Sequence, residues 1–97
     1  MVQCKVEVIN VLGLHLRAAA LLVKKASEFE SEIEIRKNDM VVDAKSIMAV
    51  LGLEGSKGSE LGITATGADE EEALKQLVIL FERKFYEEEW EGRDAEA

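Results

Sequence analysis

The sequence predicts an α+β fold: a two-layer open-faced β-sandwich of order β-α-β-β-α-β-α, in which three helices cover one side of a four-stranded antiparallel sheet. Three observations predict it. Short stretches alternate apolar and polar residues with the period of a strand that buries one face and wets the other. Longer stretches between and after them carry apolar residues at helical spacing. The chain has 97 residues and 47% hydrophobic content, enough for one small core and too little for a deep enclosed active site, so any chemistry is expected on the surface.

Taken in order, Val2, Cys4, Val6 and Val8 alternate with Gln3, Lys5 and Glu7 and predict the first strand. Leu16, Ala19, Ala20, Val23 and Ala26 lie at helical spacing. Ile33 and Ile35 alternate with Glu32, Glu34 and Arg36, and the pair Asn38-Asp39 before Met40-Val41-Val42 predicts a tight hairpin turn between the second and third strands. Ser46 followed by Ile47-Met48-Ala49-Val50-Leu51 reads as an N-cap and one or two helical turns, closed by Gly52. Gly55-Ser56-Lys57-Gly58-Ser59 is a surface loop, and Leu61, Ile63 and Ala65 against Glu60, Thr64 and Thr66 form the fourth strand. The last helix carries Ala73, Leu74, Leu77, Val78, Phe81 and Phe85. Asp69 is its expected N-cap, Glu72 follows three residues later, and Glu70 and Glu71 suit the positive first turn. Residues 87–97 are acidic and lack periodicity, so the domain is expected to occupy 1–86 and the rest to fray, with docking of Trp90 back on the domain left open.

Composition narrows the function. A net charge of −8 argues against nucleic acid and anionic membranes as partners, since both need clustered Lys and Arg. Lys5, Glu7, His15 and Arg17 interrupt every early apolar run, so neither a secretory signal nor a membrane span is expected and a cytoplasmic protein is. Cys4 stands alone, which excludes an internal disulfide and fits a buried, unreactive thiol. No cluster at metal-ligand spacing occurs, and no metal or cofactor is expected.

The chemistry points to His15, the only histidine. In the run Leu12-Gly13-Leu14-His15-Leu16-Arg17-Ala18-Ala19-Ala20, a glycine-bearing turn ends at the imidazole and a helix begins at once. Unpaired backbone N–H groups and the positive helix end gather there, and Arg17 adds a fixed positive charge. A nucleophilic imidazole beside anion donors, with no companion Ser, Cys or metal cluster, suits a phosphoryl relay better than an independent enzyme.

This run resembles the active-site signature of the histidine-containing phosphocarrier (HPr) family of the bacterial phosphotransferase system, from which it departs at Leu16 and at Ala18, where proline is usual. Two further stretches resemble family landmarks in the same order and at the right spacing, Ala44-Lys45-Ser46-Ile47-Met48-Ala49-Val50-Leu51 and Gly67-Ala68-Asp69-Glu70-Glu71-Glu72-Ala73-Leu74. The resemblance implies strand order 1-4-2-3 and a carrier that is not itself an enzyme. It implies a phosphoryl group taken on His15 Nδ1 from phosphorylated enzyme I and passed to an enzyme IIA domain in phosphoenolpyruvate-dependent sugar transport. Arg17 is then a working partner of His15, with the backbone of Leu16, Arg17 and Ala18 holding the phosphate. Ser46 becomes the regulatory phosphorylation site, which adds a kinase/phosphorylase of the family and transcriptional regulators to the partners. Leu16, Ala20, Lys24, Ile47, Met48, Leu51 and Leu53 are the expected docking patch of a monomer, with Lys45 and Lys57 on its rim. The alternative is a regulatory binding module, nitrogen-type or controlled by Ser46, that signals by phosphorylation state without sugar transport.

Overall fold

A computed structural model of the protein describes residues 1–87. The elements follow the predicted order: β1 Val2–Glu7, α1 Leu16–Ala26, β2 Glu32–Lys37, β3 Met40–Asp43, α2 Ile47–Gly52, β4 Glu60–Thr66 and α3 Glu70–Glu82. The strands form one antiparallel sheet of order β1-β4-β2-β3. Its register sets Val2 opposite Ala65, and Ile35 opposite both Ile63 and Val42. Every second residue of β2 and β4 therefore points at the helices, and Ile33, Ile35, Leu61, Ile63 and Ala65 are buried. The hairpin turn falls at Asn38-Asp39, between the paired Lys37 and Met40, with Asn38 in the left-handed region at φ +55°.

The helices close the core with a stripe shifted from the expected one. In α1 the buried residues are Ala18, Ala19, Leu22 and Ala26, whereas Leu16 and Ala20 are exposed. The buried residues fall at i, i+1, i+4 and i+8, still a helical stripe but sharing only Ala19 and Ala26 with the expected one, and the bulkier Leu22 rather than Val23 fills the centre of the contact. In α3 the buried residues are Ala73, Leu77, Leu80 and Phe81. The short α2 is closed at its C-terminus by Lys37, whose Nζ donates to the carbonyls of Leu53 and Glu54 at 3.0 Å each. Glu54, at φ +52°, reverses the chain there, and Gly52 remains within the helix.

The two ends of the last helix differ from expectation. Asp69 sits at the N-cap of α3, yet its side chain makes no cap bond to the helix. Its carboxylate instead accepts from the Glu30 and Ser31 N–H groups and from the Ser31 hydroxyl, tying the α1–β2 loop to the start of α3. Glu70 reaches back to the Gly67 N–H and to the terminal amine of Met1, while Glu72 accepts from Gln76. A loop four elements earlier offers three donors in one place, and that outweighs one local helix N–H.

The second difference is at the end. Phe85 is buried but lies beyond α3, in a turn Lys84–Tyr86 whose three residues take φ of +55°, +54° and +58°. Each such non-glycine residue costs roughly 1–2 kcal/mol. The burial of Phe85, edge-to-face on Phe81 with ring centroids 4.9 Å apart, offsets part of that cost. The turn swings Glu87 back against residues Asn10, Val11 and Leu12, where it is only 5% exposed. Glu87 thus belongs to the packed fold and not to the fraying segment expected from residue 87 onward. Residues 88–97, with Trp90, lie outside the described residues.

Candidate functional site

His15 is the N-cap of α1, with φ −75° and ψ 179°. Its ring Nδ1 accepts from the Arg17 N–H at 3.3 Å, and its carbonyl accepts from the Ala19 N–H at 2.8 Å. The Nδ1 lone pair therefore does what a serine or aspartate oxygen does at an ordinary N-cap, and it faces the end of the helix. Leu16, Arg17 and Ala18 contribute the N–H groups that precede the first intrahelical bond. The arrangement offers one nucleophilic nitrogen against a positive helix end, which can receive an anion bonded to that nitrogen.

The loop that delivers His15 is built tightly. Gly13 takes φ +66°, and a Cβ there would lie 2.6 Å from the Gly55 carbonyl oxygen and 3.0 Å from Ser56 Cα. The next residue, Leu14, is buried and donates its N–H to that same carbonyl at 2.7 Å. Asn10, fully buried, donates Nδ2 to the Gly13 carbonyl at 2.8 Å, and its own carbonyl accepts from the Gly13 N–H at 3.2 Å.

Ser46 is the N-cap of α2, with Oγ accepting from the Ala49 N–H at 3.3 Å and its carbonyl accepting from the Val50 N–H at 3.0 Å. It is half-buried. Helices α1 and α2 pack together. Of the expected docking residues, Leu16 is 63% exposed and Met48 76%, and Ala20 and Lys24 are exposed too. Ile47 and Leu51 are half-buried against the core. Leu53 is 3% exposed, so it is a core residue and not part of any docking surface. It follows α2 directly as its C-cap, and the turn that ends that helix drives it inward. Lys45 is also diverted from the expected rim: its Nζ donates to the Phe29 carbonyl at 2.7 Å. Exposed Val11 and Leu12, on the loop before His15, are apolar surface that the sequence reading did not include.

Cys4 is half-buried in β1, and burial pushes its thiol up from the ordinary value, as an inert thiol requires. Among the described residues no helix is long and apolar enough to cross a membrane.

Comparison with known proteins agrees with this geometry. Residues 2–83 match the family model described as PTS HPr component phosphorylation site. The phosphocarrier protein HPr of Neisseria meningitidis is 42% identical over 89 residues, covering 92% of this chain and all of the relative. The HPr-like protein Crh of Bacillus subtilis is 47% identical over 77 residues, 79% of this chain and 91% of that one. Among solved structures, HPr-C-His from Thermoanaerobacter tengcongensis superposes with a TM-score of 0.85 at 47% identity, covering 88% of this chain and 96% of that chain. An HPr dimer from the same organism superposes at 0.71, also 47% identical and covering 88% and 98%, so the expected monomeric state does not follow from the family. The sheet order, the helix-capping histidine and these likenesses together place the chain in the HPr family of phosphotransferase-system phosphocarrier proteins.

Proposed function

We propose that this chain accepts a phosphoryl group on His15 Nδ1 from phosphorylated enzyme I and passes it to an enzyme IIA domain of a sugar phosphotransferase system in the cytoplasm. The observation that carries the reading is the Nδ1 lone pair aimed at the N-terminus of α1. When Nδ1 attacks phosphorus, the bond to the donor breaks and the ring nitrogen ceases to be the cap. A phosphoryl oxygen takes its place as acceptor for the Arg17 N–H, and the N–H groups of Leu16 and Ala18 stand beside it. The Arg17 N–H that His15 caps in one state thereby holds the phosphate in the other. The exposed Arg17 side chain adds charge without enclosing the group, as a relay requires. Exposed Leu16, Ala20 and Met48, with Lys24 at their edge and Ile47 and Leu51 beneath, supply an apolar docking face for the two partners in turn.

Ser46 supports a second, regulatory reading, favoured by its place in α2 against α1 and by the likeness to Crh. A phosphate there adds about −1.5 to −2 charge beside the docking face and stays at the positive end of its helix, so it would impede docking without unfolding the domain.

One experiment separates the two. Intact mass after incubation with enzyme I and phosphoenolpyruvate is expected to show one acid-labile phosphoryl group, absent from His15→Ala. With ATP and a Ser46-directed kinase, the adduct is expected to be acid-stable and absent from Ser46→Ala. An acid-stable product in the first arm, or undiminished labelling of His15→Ala, would remove His15 from the relay.

A further inference from the structure

The acidic segment contributes one residue that the relay chemistry does not account for. Glu87 is buried, and its carboxylate accepts from the Val11 N–H at 3.0 Å, from the Leu12 N–H at 2.9 Å and from Asn10 Nδ2 at 3.4 Å. All three donors lie on the loop that delivers His15, and Asn10 passes the constraint on through the Gly13 carbonyl. The backbone reaches this position only through three successive left-handed residues, a conformation that persists where surrounding contacts hold it and that gathers at functional sites. Meanwhile Val11 and Leu12 turn their side chains outward, so the carboxylate grips the loop from behind while its apolar front faces solvent.

We propose that Glu87 is a positioning residue for phosphoryl transfer: from the far end of the chain it staples loop 10–13, setting the approach of the backbone to His15 and presenting Val11 and Leu12 as a firm apolar edge for the phosphoryl donor to dock against. The proposal rests on the reading of His15 as acceptor. Helix α1 and its own cap keep the ring chemistry intact without the staple. Loss of Glu87 therefore acts on the encounter with the donor protein, raising KM more than it lowers kcat. A residue that merely stabilised the fold would leave both constants unchanged at a temperature where the variant is folded.

The test uses the full chain as Glu87→Gln and Glu87→Ala, at a temperature where circular dichroism shows both folded. The isosteric Gln keeps one carbonyl acceptor and loses the other, so it is the milder variant. Amide hydrogen exchange of Val11 and Leu12 is expected to accelerate at least about tenfold in Glu87→Ala and less in Glu87→Gln, with Ile35 and Ile63 of the sheet unaffected. KM for phosphorylated enzyme I is expected to rise in the same order, about fivefold or more for Ala, with kcat within about twofold. Unprotected Val11 and Leu12 amides in the wild type, or amides released by the variants with KM unchanged, would overturn the proposal. A wild-type chain that accepts no phosphoryl group overturns the acceptor reading and the positioning role with it. The exchange arm needs no donor, so that failure is distinguishable from absence of the staple.

Discussion

Gly13→Ala places a single methyl where two loops meet, and its effect can be worked from the geometry. The new Cβ would lie 2.6 Å from the Gly55 carbonyl oxygen and 3.0 Å from Ser56 Cα, both backbone atoms that no rotamer change can move aside. An alanine at φ +66° costs about 1–2 kcal/mol before any contact is counted. Relieving the clash means parting the loops, which stretches or breaks the 2.7 Å bond from the Leu14 N–H to that same carbonyl. Losing it costs about 1 kcal/mol, and up to about 3 if the buried groups find no other partner. The sum is roughly 2–5 kcal/mol, a large fraction of the stability of a small domain. Urea denaturation of Gly13→Ala should therefore show a lower midpoint with little change in slope. Gly52→Ala is the matched comparison: helical, without a positive φ, and with nothing within 4 Å of its Cβ. It should stabilise the protein by about 0.4–1 kcal/mol. A Gly13→Ala loss under about 1 kcal/mol, no worse than an ordinary surface change, would refute the claim that the loop before His15 is held by close backbone contact.

Two further predictions concern the chain's other special positions. Asp69 is held below the ordinary carboxylate range, first by the Ser31 hydroxyl and then by the Glu30 N–H, so it contributes stability above the unfolded carboxylate value of about 3.9 that is lost as pH falls through the lower folded one. Melting temperature measured from pH 7 to pH 2 should accordingly fall less steeply at the acid end for Asp69→Asn than for wild type, from a lower starting point; parallel curves would contradict it. Ala18→Pro removes an N–H that has no intrahelical partner at the third position of α1, and should stabilise the fold by about 0.4–1 kcal/mol if the buried site admits the ring. It should also shorten the lifetime of phosphohistidine, read as acid-labile phosphate against time; an unchanged lifetime would mean that the Ala18 N–H holds no phosphate.

What could be read from the chain was what depends on neighbours in sequence. Alternation in Val2–Glu7 and Glu60–Thr66, the Asn38-Asp39 turn and the Ser46 cap are local patterns, and each appears where it was expected. His15 at the head of a helix was legible for the same reason. Two of the misreadings involve a partner far along the chain, and a third a turn that ends a helix. Asp69 forsakes its own helix because the loop at Ser31 is brought to it by the sheet, 38 residues away in sequence. Leu53 looked like spare apolar surface until the turn after α2 folded it inward. Glu87 sits in an acidic run that reads as solvated tail, and nothing local reveals that Val11 and Leu12, 76 and 75 residues earlier, are its donors. The left-handed turn carries no glycine or asparagine to announce it.

The order of the sheet also fixes a timetable for assembly. Among the described residues β1 is bonded only to β4, with Val2 opposite Ala65 and Glu7 opposite Glu60, so it has no ladder partner until the intervening strands and helices have been made. The β2–β3 hairpin is independent of it and can close through its two-residue turn in about 1–10 μs. At a synthesis rate of about 5–20 residues per second, β1 waits several seconds while the hairpin is already complete. β4 then enters between the two, hydrogen-bonding to β1 on one edge and β2 on the other. Its arrival joins two separate pieces into one sheet and closes a long loop, the kind of non-local pairing that costs closure entropy and slows folding in general.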